Sequence, residues 1–284
     1  MKRTASIVGF ALTAVLLQAC SSTPSTPSTT AETPSLAETA LFQQTGTPDA
    51  TVQVKLPQYK EPVTAEVRGN KVLFEGDILL AELPEGQAID KNSTVIANTG
   101  GLWPSARIPY VFASNVSSTV RSHVQSAINT YNTYTKVRIV PRASETNYVR
   151  VIVDSGCYSY VGRIGGGQAL SLANGGCGVA GAIHEFGHAM GLWHEQSRKD
   201  RDQYVTIVWA NIKSGTEHNF QIESNSRAVG AYDFDSIMHY PAYAFSTNGQ
   251  PTIRPKNTSI PLSRLGAAKT LSSGDIAGIR SLYP

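Results

Sequence analysis

Cysteine is scarce in this chain, three residues in 284, and so is charge, at 16% of residues with a net balance of +3. Each scarcity excludes something. Three cysteines cannot build the dense disulfide framework of a small secreted module. So small a net charge, with no basic run, argues against a nucleic-acid partner. Beyond the N-terminus no apolar stretch approaches the ~20 residues that a membrane-spanning helix needs. What is there, 41% hydrophobic residues, describes a globular chain of roughly one or two domains with ample material for a core.

The N-terminus has its own texture. Lys2 and Arg3 precede an apolar run at residues 5–17, too short for a stable span and shaped like the central region of a secretory signal. It ends in Leu17-Gln18-Ala19-Cys20. That ending resembles the lipobox of bacterial lipoproteins, in which the cysteine is lipidated and becomes the new N-terminus. An ordinary signal peptide that happens to hold a cysteine is the alternative. Residues 21–48, dominated by Ser, Thr, Pro, Ala and Glu, cannot bury enough apolar surface to fold and read as a tether.

From residue 49 the pattern turns to strands. Val52, Val54 and Leu56 alternate with polar residues, as do Val63, Ala65 and Val67; a turn follows at Arg68-Gly69-Asn70-Lys71, and Val72-Leu73-Phe74 resumes the strand pattern. A small β-rich unit over residues 49–96 fits, with residues 85–101 as an exposed connector. The rest, 97–284, reads as a larger domain. There, Val120, Val124, Ile128 and Tyr131 mark an amphipathic helix. Strands are expected around residues 108–112, 137–140, 148–153 and 168–172, so helices should cover a twisted, mostly parallel sheet. Cys157 and Cys177 bracket a glycine-rich segment. In an exported chain they pair most simply as a disulfide, with thiolate metal ligands as the rival reading.

The chemistry concentrates at His184-Glu185-Phe186-Gly187-His188, followed by Gly191 and His194. In a helix His184 and His188 stand one turn apart on one face, where two imidazoles hold one zinc ion and Glu185 handles a water proton. His194 lies six residues past His188, and at ~100° per residue a continued helix would aim it roughly 240° away. It reaches the same metal only if the helix stops, and Gly191 sits where a left-handed stop is needed. Three neutral histidines leave a zinc position open for water, as in catalytic rather than closed structural sites.

The stretch His184 to Glu195 resembles the zinc signature of metzincin metallopeptidases, and Glu195 directly after the third histidine resembles the astacin family in particular. Cys157-Tyr158-Ser159-Tyr160-Val161-Gly162-Arg163 upstream, His194-Glu195-Gln196-Ser197-Arg198 with Asp200-Arg201-Asp202, and Ser236-Ile237-Met238-His239-Tyr240 support the likeness, which covers residues 102–284. It implies an α+β, two-lobed zincin-like catalytic domain behind a small β-rich pro-segment, and a zinc endopeptidase made as a zymogen. By this resemblance Met238 forms the floor under the metal, and Tyr240 approaches it and then stabilises the transition state; taken alone, each is a buried packing residue. Phe74-Glu75-Gly76-Asp77-Ile78 resembles the motif whose aspartate occupies the zinc in astacin pro-segments, although Glu-Gly-Asp alone is an ordinary turn. The resemblance also implies that the strand at residues 168–172 takes an extended substrate, and that a new N-terminus pairs with Glu195, read here as a buried carboxylate lacking a partner. Lys256 or Arg254 falls where some relatives place a specificity-setting cation, or is a solvated surface charge. The second disulfide of many astacins has no cysteines here, so the final helix, opening at Ser272-Ser273-Gly274-Asp275, must hold the halves together by packing. The expected whole is a monomer acting on protein or peptide substrates with one zinc ion and no nucleic acid, reaching a bacterial membrane through Cys20 before processing. A non-catalytic zinc-binding envelope lipoprotein on the same scaffold is the rival.

Overall fold

A computed structural model of the chain describes residues 48–56, 59, 61–84, 94–96, 100–223 and 226–284. The signal segment, Cys20, nearly all of the tether and most of the 85–101 connector lie outside the described residues.

The strands are β1 (Ala50–Lys55), β2 (Val63–Arg68), β3 (Lys71–Phe74), β4 (Ile78–Glu82), β5 (Thr94–Ile96), β6 (Arg107–Phe112), β7 (Arg138–Pro141), β8 (Tyr148–Ile152), β9 (Tyr158–Ser159), β10 (Gly167–Ser171), β11 (Val205–Ile207) and β12 (Ile253–Pro255). The helices are α1 (Ser118–Tyr134), α2 (Gly178–Met190) and α3 (Ser273–Leu282). The first ten strands join in one sheet of order β5-β1-β2-β3-β4-β9-β10-β8-β6-β7, while β11 and β12 pair separately. Among the described residues the N-terminal strands β1 to β5 are therefore continuous with the sheet of the larger domain. Strands β1 to β4 are antiparallel neighbours, whereas β7, β6, β8 and β10 run parallel.

Local sequence explains most of these elements. Ser117 caps α1 by accepting from the Val120 amide, and Val120, Val124, Ala127, Ile128 and Tyr131 form its buried stripe. The stripe packs with the sheet and with α2 in one core that also takes in Trp103, Ile108, Val149, Val151, Phe186 and Ile279. A second core lies behind Tyr240 and Phe220 in the C-terminal half. The N-terminal strands have a core of their own, with Val52, Val54, Leu56, Val72, Phe74 and Ile78. A bridging cluster joins Leu73 and Leu79 to Tyr158, Tyr160 and Ala169 across the β4–β9 seam. Each such side chain, fully buried, contributes ~1.5–3 kcal/mol.

Two expectations are corrected. β5, pairing parallel with β1, forms inside the segment read as an unstructured connector. The pairing is nonlocal, and three residues carry too little periodicity to reveal it. Also, β10 (residues 168–172 in the sequence reading) is not the sheet edge that an extended substrate would meet. It lies between β8 and β9, and β9 is the strand that pairs with β4.

Cys157 and Cys177 are bonded, with Cα atoms 6.0 Å apart. The last helix packs against the main core and the end of α2. Ser272 and Asp275 close a capping box at its start, Ile279 enters the main core, and the Tyr283 hydroxyl donates to the Met190 carbonyl at 2.9 Å.

Candidate metal centre

Helix α2 ends where the third histidine requires it to. Gly191 adopts φ +106°, a left-handed stop without a Cβ penalty. The last four carbonyls of the helix are all satisfied, as buried backbone groups must be. Leu192 N–H donates to Gly187 O at 3.0 Å, Gly162 N–H to His188 O at 2.8 Å, Trp103 Nε1 to Ala189 O at 2.7 Å and Tyr283 Oη to Met190 O. The turn leading to His194 is thereby fixed from several sides.

His184, His188 and His194 converge, all buried, together with Asp77 from the turn between β3 and β4; one ligand atom from each lies within 4.8 Å of all the others. The Asp77 carboxylate stands 3.2 Å from His184 Nε2, 3.6 Å from His188 Nε2 and 3.2 Å from His194 Nε2. Four donors on a tetrahedral zinc at ~2.0–2.1 Å would be ~3.3–3.4 Å apart, so the spacing suits that ion. The ring orientations agree. His184 Nδ1 faces the Ile237 carbonyl at 2.8 Å, His188 Nδ1 the Leu192 carbonyl at 2.9 Å, and His194 Nδ1 the Glu75 carboxylate at 2.7 Å. Each partner accepts the Nδ1 proton and turns the Nε2 lone pair toward the common centre. His188 Nε2 and Asp77 Oδ1, both buried, make no hydrogen bond within the protein. The residues fit one zinc ion.

Without the metal, the electrostatics are those of a buried acid among imidazoles. Burial pushes the His184 pKa down to about 4 and lowers that of His188 as well. Burial also opposes charge on His194, but Asp77 and Glu75 beside it win and lift it to about 9. Burial alone would raise Asp77; the charge of His194 and the closeness of all three rings hold it well below the usual carboxylate range. Glu185, buried with neither oxygen hydrogen-bonded within the protein, is pushed well up by burial and then by the Asp77 charge.

Met238 lies beneath the helix, and a Cβ on Gly187 would meet its Sδ at 2.7 Å. Gly187 thus sets how closely the methionine turn approaches the helix. Tyr240 is fully buried beside His194, and its hydroxyl donates to the Glu75 carbonyl. Glu195 requires a correction: it does not lack a partner. Its Oε1 accepts from Arg198 Nη1 at 3.0 Å and from the Asp233 amide at 2.7 Å, because the chain folds back through residue 233. Burial nonetheless raises its pKa to about 7, and it lines a cavity of about 280 Å³ with Arg198, Asp233 and Asp275. Arg254 and Lys256 are exposed at and just after β12, with Arg254 opposite Thr206 and the Lys256 amide donating to the Tyr204 carbonyl. Two residues of the site were not singled out from sequence. Glu75 carries no signal apart from its place in the Phe74–Ile78 motif, and Gly187 could have been noticed as the small residue between Glu185 and His188.

Sheet, zinc helix and methionine turn together define a metzincin-type catalytic domain. The chain belongs to the astacin family of peptidases, whose family model matches residues 95–284. It is 41% identical over 231 residues to zinc metalloproteinase nas-15 of Caenorhabditis elegans, an alignment covering 75% of this chain and 40% of that protein. It is 35% identical over 229 residues to high choriolytic enzyme 1 of Oryzias latipes, covering 78% of this chain and 81% of the relative. The solved structure of that hatching enzyme zinc-protease superposes with a TM-score of 0.60 at 37% identity, over 65% of this chain and 94% of the other. The chain thus spans well under half the length of nas-15.

Proposed function

We propose that this chain is a zinc endopeptidase made as a latent precursor, exported and tethered through Cys20, and switched on by removal of residues 49–96. One observation carries the reading: the carboxylate of Asp77, in the turn between β3 and β4, lies 3.2–3.6 Å from the three histidine Nε2 atoms of a zinc helix and its turn. In this reading His184, His188 and His194 hold the metal and Asp77 takes the position that a catalytic water needs.

When bound, zinc supplies a Lewis acid that polarises a carbonyl and makes water acidic enough to deprotonate at about pH 7. Glu185 accepts that proton and returns it to the leaving amine; its side chain has no competing hydrogen bond within the protein. Tyr240 gives its hydroxyl to the Glu75 carbonyl in the precursor. Once the hairpin leaves, the same hydroxyl serves the substrate oxyanion, a role worth roughly 10²–10³ in rate. The hairpin also covers the strand edge, since the Ser159 amide donates to the Asp77 carbonyl at 3.0 Å. Its departure exposes β9 to an extended polypeptide, which would add as a strand. The new N-terminus enters the cavity beside Glu195, where a freed amine would join Arg198 at the carboxylate. Because Cys20 precedes the pro-segment, the same cut releases the catalytic domain from its lipid anchor.

The experiment is casein or gelatin hydrolysis by the uncleaved and the processed chain, with and without a zinc chelator. Activity confined to the processed, chelator-free sample is expected. Hydrolysis that survives chelation, or none from processed protein, contradicts the reading. Lys256 or Arg254 sets a preference for an acidic residue after the scissile bond. Cleavage-site profiles of Lys256→Ala and Arg254→Ala test this, and two unchanged profiles refute it.

A further inference from the structure

The three zinc-facing histidines differ in where their outer nitrogens find a partner. His184 and His188 give Nδ1 to carbonyls of the catalytic unit itself, Ile237 and Leu192. His194 gives Nδ1 to the carboxylate of Glu75, which belongs to the pro-segment. The chain therefore borrows one of its three orienting partners from a piece that the mature protein would lose.

We propose that the pro-segment builds the zinc site as well as blocking it: Glu75 orients His194, and the precursor is the form that captures zinc. The inference rests on the zinc reading above. It is independent of whether Asp77 imposes latency.

Three features of Glu75 carry it. The side chain is completely buried, and its second oxygen makes no hydrogen bond within the protein. A buried carboxylate is costly unless paired, and His194 Nδ1 at 2.7 Å is what pairs it. Next, Glu75 sits at φ +48° with Gly76 following at φ +76°. A left-handed backbone is unfavourable for a residue such as glutamate, where glycine or asparagine would sit more easily. The turn alone thus does not call for glutamate. Finally, the Glu75 carbonyl accepts the Tyr240 hydroxyl, so one residue fixes two groups of the site.

An imidazole fixed by a carboxylate keeps its tautomer and ring angle and is a more basic ligand. Losing such a partner typically lowers metal affinity 10–100-fold. Zinc would then be loaded before processing, into a site completed by Asp77 and braced by Glu75. Glu75 is a positioning residue, acting through His194.

The test is zinc titration of the metal-free, uncleaved chain in competition with a chromophoric chelator. Wild type is compared with Glu75→Ala, Glu75→Asn, Glu75→Gln and Asp77→Asn, with folding checked by circular dichroism. Asparagine suits the left-handed turn but is too short to reach His194, so Glu75→Asn guards against a misfolded alanine variant. Expected are a 10–100-fold loss of zinc affinity for Ala and Asn, and a smaller loss for Gln, which keeps an acceptor. The visible spectrum of the cobalt-substituted precursor should also shift in the Ala and Asn variants. After removal of the pro-segment, the Glu75 variants and wild type have the same mature sequence and must bind zinc alike. A folded Glu75→Asn precursor that holds zinc within twofold of wild type, with an unchanged cobalt spectrum, overturns the proposal. Failure of the wild-type chain to take up stoichiometric zinc overturns the zinc reading itself. An unaltered Asp77→Asn with a weakened Glu75→Asn would refute the Asp77 assignment alone and support the role of Glu75.

Discussion

Glu185 is packed so that no protein group competes for its carboxylate, and no neighbour in its helix can replace it as a base. Glu185→Ala should therefore retain zinc and fold, as measured by metal content and circular dichroism, while losing roughly 10²–10⁴ in kcat/KM of the processed chain. Wild-type turnover in that variant would contradict the assignment. His239 makes a different prediction. It is buried between the Tyr232 hydroxyl at 2.8 Å and the Tyr240 carbonyl at 2.7 Å, and burial pushes its pKa down to about 4. Because the folded-state pKa is depressed, the unfolded chain takes up the proton first. Stability is then complete above pH ~6.5 and is lost as the pH falls toward 4, by on the order of 3 kcal/mol. Urea unfolding across that interval should show a shallower pH slope for His239→Gln than for wild type; equal slopes would refute the linkage. At this scale the ligands were legible because helix periodicity dictates which side chains share a face. Glu75 was not, since its partner lies 119 residues away. Glu195 misled because its compensating groups, Arg198 and the Asp233 amide, are delivered by a loop that no local pattern announces.

Helix α2 is the element on which the site depends, and its glycines do separate work. Gly191 permits the left-handed stop, and Gly187 lets Met238 approach. An alanine at 187 would place its Cβ 2.7 Å from Met238 Sδ and 3.3 Å from Tyr131 Oη. The methionine is flexible but fully packed, so Gly187→Ala should cost roughly 1–3 kcal/mol by overpacking and weaken zinc binding through displacement of the helix. Urea midpoints and zinc competition check this, and an unchanged midpoint would show that the methionine yields freely. Helix α1 was legible in the sequence from its apolar stripe, and α3 from the capping-box-like run at Ser272 to Asp275. Strand β9 was legible only as part of a motif, because two residues have no period. Which strand lies beside β4 is decided by pairing across the whole sheet.

At the scale of the molecule, the N-terminal strands and the larger domain share one sheet, and three buried acids come from those strands and their turns. Glu66, Glu75 and Asp77 lie in β2 and in the turn between β3 and β4, and all are fully buried. Glu66 is matched by Arg68 at 2.8 Å and Asn219 at 3.2 Å, Glu75 by His194, and Asp77 by the three imidazoles. Sequence alone made the β-rich character of this N-terminal unit visible, through the alternation of Val52, Val54 and Leu56. That it continues the catalytic sheet became visible only once β4 was seen beside β9. Of the three acids, Asp77 alone touches all three zinc-facing nitrogens, so latency should depend on it. The direct measurement is chelator-sensitive cleavage of a fluorogenic peptide by uncleaved Asp77→Ala precursor, beside uncleaved and processed wild type. The account predicts a silent wild-type precursor, an active processed chain and an Asp77→Ala precursor active without any cut. An Asp77→Ala precursor that folds, binds zinc and stays as silent as wild type would contradict it.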